Sequence, residues 1–354
     1  MVSRLGPTST DFSLVVADGS TWLGEIDVYE AATIIARFND ISTWELTLPT
    51  ASTAATLFLE AAQPRLIVNS APGVVFRSGP VVRFERTVDV DGDMLVLSGT
   101  DDMVWLARRL AHPDPSKPAP PYNGQAYDTR TGPSSQVIAG FVDANAGPAA
   151  TPNRRVPGLV VPVPAPLGPV VKVSARYQNL LELVQRQAAR ARLGIEIRDL
   201  VFSVFQPAGP KAVFSQELGT LAGWVESRES PELNHVYVAG GGVGVNRLIR
   251  EYSDTASLTE WGRVEAFDDR RDTTDTAELD EAGAEALADG IPAPELELAV
   301  LDTAAQRFLV DWQLGDKATA TVNGHVVTDV IREVTLQLDG NAPPMVTPVI
   351  GGRP

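Results

Sequence analysis

NHVYVAGGGVGVNRLIREYSDTASLTEWGRVEAFDD, residues 234–269, is the stretch that decides the predicted fold. Val236 and Val238 alternate with Tyr237 and Ala239, which is the period-two pattern of a half-buried strand. Glycines 240–242 interrupt this run, and an extended pattern resumes at Val243. Because glycine tolerates the positive φ of tight turns, the stretch predicts a β-hairpin.

The same glycines invite comparison with a phosphate-binding loop, but their spacing does not fit. If G-x-G-x-x-G begins at Gly240, its third glycine position is occupied by Val245. No helical pattern follows, so the loop offers no helix N-terminus to a phosphate. The structural hairpin is therefore preferred, and an acidic loop containing arginines is expected after Glu265.

Seven short motifs follow one another along the chain. They are SGTDD at 98–102, WLARRL at 105–110, YD at 127–128 with TG at 131–132, RRVPG at 154–158, GGGVGVNR at 240–247, WGRVEAFDDRR at 261–271 and LGDK at 314–317. In order and spacing these motifs resemble the tail proteins of long-tailed phages of actinobacteria, which are baseplate-hub or tail-tip components. The resemblance covers most of the chain.

That resemblance implies an architecture and a set of partners. Hubs of this kind carry two tube-like β-barrel domains per chain, and three chains form a pseudo-sixfold ring between the sixfold tail tube and the threefold tip. The implied partners are two further copies of the chain, distal tail and tail tube proteins, receptor-binding or other tail-tip proteins, and the tape measure protein. DNA is a partner only in transit, and the implied location is the virion tail tip after assembly in the host cytoplasm.

Patterns of strands and helices predict an α+β chain in four parts. Residues 1–102 form a first barrel-like block, and 103–205 an α/β insertion. Residues 206–340 form a second barrel-like block with a helical insertion near 270–290, and 341–354 an extended tail. The two strand-rich blocks lie where the resemblance would place the two barrels.

Five helices are predicted from apolar stripes and end residues. They are 50–62 with Ser52 or Thr50 as cap, one starting at Asp101 with Thr100 as cap, 134–145, 177–193 and 277–289. In the second, the Asp101 and Asp102 carboxylates are attributed to the positive helix end. The cluster Arg186, Arg190 and Arg192 is attributed to a negative helix end, in preference to an anion-binding role.

Composition restricts the classes of function. The 354 residues contain 45 acidic and 29 basic side chains, for a net charge of −16, and no basic stripe suited to nucleic acid. Cysteine is absent, which excludes disulfides and thiolate chemistry. No apolar run reaches signal-peptide or membrane-span length, so no membrane span is expected.

No constellation of residues predicts catalysis, a cofactor or a metal. His112, His235 and His325 stand in unlike contexts, and neither a zinc motif nor a G-x-S-x-G elbow occurs. The acidic residues at 89, 91 and 93 surround Gly92 as in a calcium loop, but the EF-hand order is missing, and an Asp-Gly hairpin explains them. We therefore expect a protein that is not an enzyme, with no catalytic, cofactor-binding or metal-binding residue.

Two other classes of tail protein remain open: a tail-associated cell-wall hydrolase and a carbohydrate- or receptor-binding protein. The proline-rich segments 111–133 and 148–169 are predicted to contact other subunits. An acidic lining is predicted for the DNA channel, because a basic wall would bind the polymer. Its candidate residues are Asp268 and Asp269, and the acidic hairpin with Asp89, Asp91 and Asp93.

Overall fold

The structure, a computed structural model, describes residues 12–90, 92–117, 124–271, 273–292, 295–301, 303, 306–339 and 342–351. The described strands are β1 (Ser13–Asp18), β2 (Thr21–Glu25), β3 (Ala31–Arg37), β4 (Thr43–Pro49), β5 (Pro64–Ala71), β6 (Val74–Val88), β7 (Asp93–Thr100), β8 (Asp128–Pro133), β9 (Val170–Ala175), β10 (Gly194–Arg198), β11 (Val201–Phe205), β12 (Pro210–Ser215), β13 (Leu221–Ser227), β14 (His235–Ala239), β15 (Ile249–Ser253), β16 (Glu265–Asp269), β17 (Glu295–Val300), β18 (Lys317–Val322), β19 (His325–Asp339) and β20 (Ala342–Gly351). The described α-helices are α1 (Thr53–Glu60), α2 (Val104–Ala107), α3 (Ser134–Asn145), α4 (Leu180–Ala191), α5 (Thr255–Trp261) and α6 (Thr276–Gly290).

Residue contacts divide the chain into two compact units. The first consists mainly of Met1–Trp224 and Leu298–Ile350, and the second mainly of Val225–Glu297. This division is coarser than the four predicted parts, whose boundaries stay predictions.

Thirteen strands form one large sheet, in which β3 pairs with β19. Its main path runs β13-β17-β20-β19-β3-β4-β7-β6-β5-β1-β2, and β18 joins β12 to β19. The path is open at both ends, so the described strands close no barrel. A mostly β chain with some helices is confirmed, whereas the two tube-like barrels stay a prediction.

The core of this sheet alternates with the strand period. Leu46 on β4 lies opposite Leu97 on β7, and both are fully buried. Next to them the Trp44 indole donates its Nε1 hydrogen to the Thr100 carbonyl at 3.0 Å. A Cβ on Gly99 would lie 2.1 Å from the Trp44 ring, so only glycine leaves room for the indole.

Helix α1 confirms the predicted helix at 50–62, in a shorter form. Ser52 is its N-cap, and its hydroxyl oxygen accepts a hydrogen bond from the Ala55 amide at 3.1 Å. The helix buries Phe58 and two alanines. Thr50, the other predicted cap, donates its hydroxyl to Asp93 instead.

Replacing Ser52 by alanine is expected to lower the free energy of unfolding by about 1 kcal/mol, because the Ala55 amide loses its acceptor. Ser52→Asp is the matched control, since aspartate also accepts at this position, and it should retain most of the stability. Urea unfolding followed by tryptophan fluorescence measures the difference. Equal losses in the two variants would show that the cap hydrogen bond contributes nothing.

A second buried cluster, formed by residues between Met103 and Val204, brings α3 and α4 together with β10 and β11. Asn179 caps α4, its side-chain oxygen accepting from the Leu181 and Glu182 amides. The predicted helices at 134–145 and 177–193 are confirmed, the second beginning later because of this cap. None of the described helices is long and apolar enough to cross a membrane.

The helix predicted to start at Asp101 is wrong at its beginning. The helix found is the single turn α2, Thr100 does not cap it, and its N-cap position is held by Met103 without a side-chain hydrogen bond. Asp101 and Asp102 are buried before it. Their explanation by the helix dipole is therefore wrong, because internal partners, described below, hold the carboxylates.

The second unit contains a three-stranded sheet covered by α6. Its central strand β14 pairs antiparallel with β15 and parallel with β16. Val236 and Val238 of β14 pack with Leu279 and Ala282 of α6, as the predicted helix at 277–289 requires. The predicted hairpin is thus confirmed, but its second strand begins at Ile249.

Two predicted loops are strands. The acidic segment expected as a loop after Glu265 is β16, because the second edge of β14 accepts it as a parallel strand. The tail at 341–354 was expected to be merely extended, since proline lacks an N–H for sheet pairing. Within that tail, β20 pairs along β19, and two register shifts interrupt the pairing.

Candidate functional site

Strand β6 extends beyond the core of the large sheet. Its first half pairs with β5 and its second half with β7. Residues 82–88 are exposed throughout, whereas 76–80 are buried. Phe84 is 43% exposed and Val88 69% exposed, so apolar side chains lie in solvent on this extension. We call residues 82–88 the β6 extension.

Charge and a bulge modify the β6 extension. Its pairing with β7 shifts between Val81 and Arg83. Arg83 forms an ion pair with Glu85, and Arg86 with Asp93. Charged side chains and bulges are the means by which exposed strand edges avoid unspecific pairing. The extension thus offers apolar contacts while limiting which strands can join it.

Strand β19 has the same construction. It is also fifteen residues long, its first half pairs with β18 and its second half with β20 and β3. Its first residues are exposed, including Val326 at 67% and Val327 at 40%. A register shift again separates the halves, here between Ile331 and Glu333. We call residues 325–330 the β19 extension.

The large sheet therefore contains two similar three-stranded meanders, β5-β6-β7 and β18-β19-β20. In each, a central strand of fifteen residues changes partner at a register shift. This duplication was not predicted from the sequence. The sequence signals of the duplication are Val81-Val82-Arg83 and Val330-Ile331-Arg332 at the two shifts, and an Asp-Gly dipeptide near the C-terminal end of each central strand, at 91–92 and 339–340.

A buried ionic cluster lies beneath the base of the first meander. Arg65 of β5 is 2% exposed, and its Nη2 lies 2.5 Å from the Asp102 carboxylate. Ser78 of β6 donates its hydroxyl to the same carboxylate at 2.6 Å and accepts from the Asp199 amide at 2.7 Å. The cluster thus connects the meander with the turn between β10 and β11.

Burial perturbs the ionisation of this cluster. Burial raises the pKa of Asp102, while Arg65 and Ser78 act in the opposite direction. Burial also raises the pKa of Asp101 to about 6, against a hydrogen bond from Ser42 and the charge of Arg77. Arg77 is buried, and its desolvation lowers its pKa. These groups hold the strands in place.

The predicted channel residues are found beside arginines. Asp268 accepts from Arg270 Nε at 2.8 Å, and Asp269 accepts from Arg271 Nε at 3.2 Å. In the other candidate group, Asp93 lies in the ion pair with Arg86 described above. Asp91 lies outside the described residues. Asp93, Asp268 and Asp269 therefore lie on strands, and their charges are partly neutralised by arginines.

The histidines do not converge on one site. His112 forms a ring contact with Tyr177, His235 accepts a hydrogen bond from Arg263 at its Nε2, and His325 begins β19. The described residues contain no group of three or more His, Cys, Asp or Glu side chains that could hold a metal. Within the proline-rich segments, residues 118–123 lie outside the described range, and the predicted subunit contacts stay predictions.

Comparisons with known proteins place this fold. The prophage MuSo2 43 kDa tail protein from Shewanella oneidensis matches with a TM-score of 0.59 and 12% identity, over 96% of this chain and 98% of that chain. The tail protein from Neisseria meningitidis MC58 matches with a TM-score of 0.60 and 13% identity, over 96% of each chain. Prophage tail protein gp18 from Listeria monocytogenes EGD-e matches with a TM-score of 0.51 and 11% identity, over 95% and 94%.

Among curated protein sequences, none matches the chain significantly. The family model described as Siphovirus ReqiPepy6 Gp37-like protein matches residues 16–352, which is nearly the whole chain. The chain therefore belongs to the Siphovirus ReqiPepy6 Gp37-like protein family and has the fold of phage tail proteins.

Proposed function

We propose that the chain is a structural, non-enzymatic component of the baseplate hub, and that three copies form a ring at the tail tip. The observation that carries the proposal is the duplicated meander. Two similar meanders in one chain give six in a trimer, and six is the number of equivalent positions that a sixfold tail tube presents. Each chain then supplies two of six quasi-equivalent segments, one from each predicted tube-like barrel.

The two extensions support this assembly. Residues 82–88 and 325–330 protrude beyond the buried core and expose Phe84, Val88 and Val326. Apolar side chains on exposed strands are costly in an isolated subunit and favourable when a neighbouring subunit covers them. Strands from adjacent chains can then complete the barrels that the described strands of one chain leave open.

The partners proposed for the ring are the tail tube and distal tail proteins on one side and tip or receptor-binding proteins on the other, with the tape measure protein along its axis. The assignment to phages of actinobacteria rests on the motif resemblance. DNA is proposed to pass through the ring and not to be retained, since the net charge of −16 opposes its binding. The support for an acidic channel lining is the net charge of the chain. The candidate residues Asp93, Asp268 and Asp269 give less support, because each lies beside an arginine.

Ring formation predicts that Phe84→Glu impairs assembly while leaving the subunit folded, because Phe84 is exposed in the monomer. Native mass spectrometry of the tail-derived complex should give three copies of the wild-type chain and a reduced share of trimer for the variant. Phe84→Leu, which keeps an apolar side chain, is the matched control. A complex with only one or two copies of the wild-type chain would contradict the proposal.

A further inference from the structure

A cavity of about 380 Å³ lies between strand β9 and helix α4 in the first unit. Its size falls in the range of roughly 300–1,000 Å³ that is usual for ligand sites. One wall consists of residues 171–174 of β9, and the other includes Leu183, Gln187 and Arg190 of α4. The proposed role of the protein in the tail uses neither wall.

The β9 wall is the edge of a strand. Side chains alternate between the two faces of a strand, so four consecutive lining residues, 171–174, mean that the cavity runs along the backbone edge. Strand β9 pairs with β8, and no second described strand pairs with it. Its outer edge therefore presents main-chain donors and acceptors to whatever enters the cavity.

The charged residues around this edge are all cations. Lys172 lies on β9, and Arg186 and Arg190 lie one turn apart on α4. No aspartate or glutamate lines the cavity, although the chain has 45 acidic and only 29 basic residues. Two arginines at i and i+4 are neighbours on one helix face and suit successive anionic groups.

Gln187 is a further polar group in the cavity wall. The residue is 8% exposed, and its side chain lines the cavity. A glutamine amide offers two donor hydrogens and an acceptor oxygen, which match the acceptors and donors of a peptide backbone. The position of Gln187 thus points to a polar occupant.

We propose that this cavity binds an extended, acidic peptide segment of a partner protein. The segment adds to the free edge of β9 through main-chain hydrogen bonds, as in other strand-addition complexes. Its carboxylates contact Lys172, Arg186 and Arg190, and its backbone forms a hydrogen bond with the side-chain amide of Gln187. Free phosphate would contact the cations but would have no use for the strand edge along residues 171–174.

The test uses the full chain and a labelled probe, acetyl-Glu-Val-Glu-Val-Glu-amide, in which every second residue is acidic. Fluorescence anisotropy should show saturable binding that weakens as salt is added. Arg190→Gln should weaken binding about fivefold, the value for loss of one solvent-accessible charge pair. Arg192→Gln removes one charge from the same helix end outside the cavity lining and should leave binding unchanged.

Two further probes identify what is recognised. N-methylation of alternate probe amides removes main-chain donors and should weaken binding if strand addition occurs. Inorganic phosphate should compete poorly. The proposal is overturned if the probe shows no saturable binding, if both arginine variants have equal effects, or if N-methylation has no effect while phosphate competes, which would indicate an anion site alone. Circular dichroism of each variant checks that it is folded.

Discussion

Replacing Asp102 by alanine is expected to lower the free energy of unfolding by about 3–5 kcal/mol. The Arg65 guanidinium would remain almost fully buried without the carboxylate that lies 2.5 Å from it. Ser78 would lose the acceptor of its hydroxyl as well. An uncompensated buried charge costs far more than the exposed ion pairs of the same chain contribute. Urea unfolding of the purified chain measures the loss.

The control for this prediction is Glu85→Ala, which breaks the exposed ion pair with Arg83 and should change stability little. A double replacement, Arg65→Met with Asp102→Leu, should recover a large part of the loss, since it removes both charges together. If Asp102→Ala is no more harmful than Glu85→Ala, the buried pair does not anchor the base of β6.

Much of the fold follows from local patterns, whereas the buried cluster depends on residues distant in sequence. The Ser52 cap and the stripe of α4 involve neighbours along the chain, so periodicity and end residues are sufficient to predict them. Judged from its sequence neighbours alone, Asp102 is predicted to lie at a helix N-terminus. Its partner Arg65 lies thirty-seven residues earlier, and only the pairing of β5, β6 and β7 brings them together.

The unpredicted strands have the same explanation. The residues of strand β16 are largely acidic and exposed, which is a pattern typical of a loop. They form a strand because they pair with the available edge of β14. Strand β20 contains prolines that argue against a sheet, but β19 pairs with it between register shifts. For the candidate site, hydrophobic Phe84 was visible in the sequence. Its exposure was not, because it depends on where β5 stops pairing with β6.

Titration of Asp101 is the second large effect that we expect. Burial raises the pKa of this carboxyl to about 6 in the folded protein, against about 3.9 in an unfolded chain. Between these values the folded state binds more protons than the unfolded state. The contribution of Asp101 to stability is therefore fully present below pH 4 and is lost as the pH rises through 6.

The groups that face Asp101 set the size of this effect. Ser42 supplies a hydrogen bond, Arg77 a favourable charge and Asp102 an unfavourable one, and burial outweighs them. The folded and unfolded pKa of Asp101 differ by about 2, which corresponds to a change of about 3 kcal/mol in the free energy of unfolding between pH 4 and pH 8. Other carboxylates titrate in the same range, so the wild-type profile alone does not isolate Asp101.

Asp101→Asn isolates it, because the amide oxygen can still accept from the Met103 amide and carries no charge. We expect the wild type to lose about 3 kcal/mol relative to this variant as the pH rises from 4 to 8. Urea unfolding of both proteins at half-unit pH intervals measures the difference. Parallel profiles for the two proteins would mean that Asp101 titrates at its ordinary value. If instead the wild type loses stability relative to Asp101→Asn as the pH falls, the charge of Arg77 outweighs burial and keeps the Asp101 carboxylate ionised.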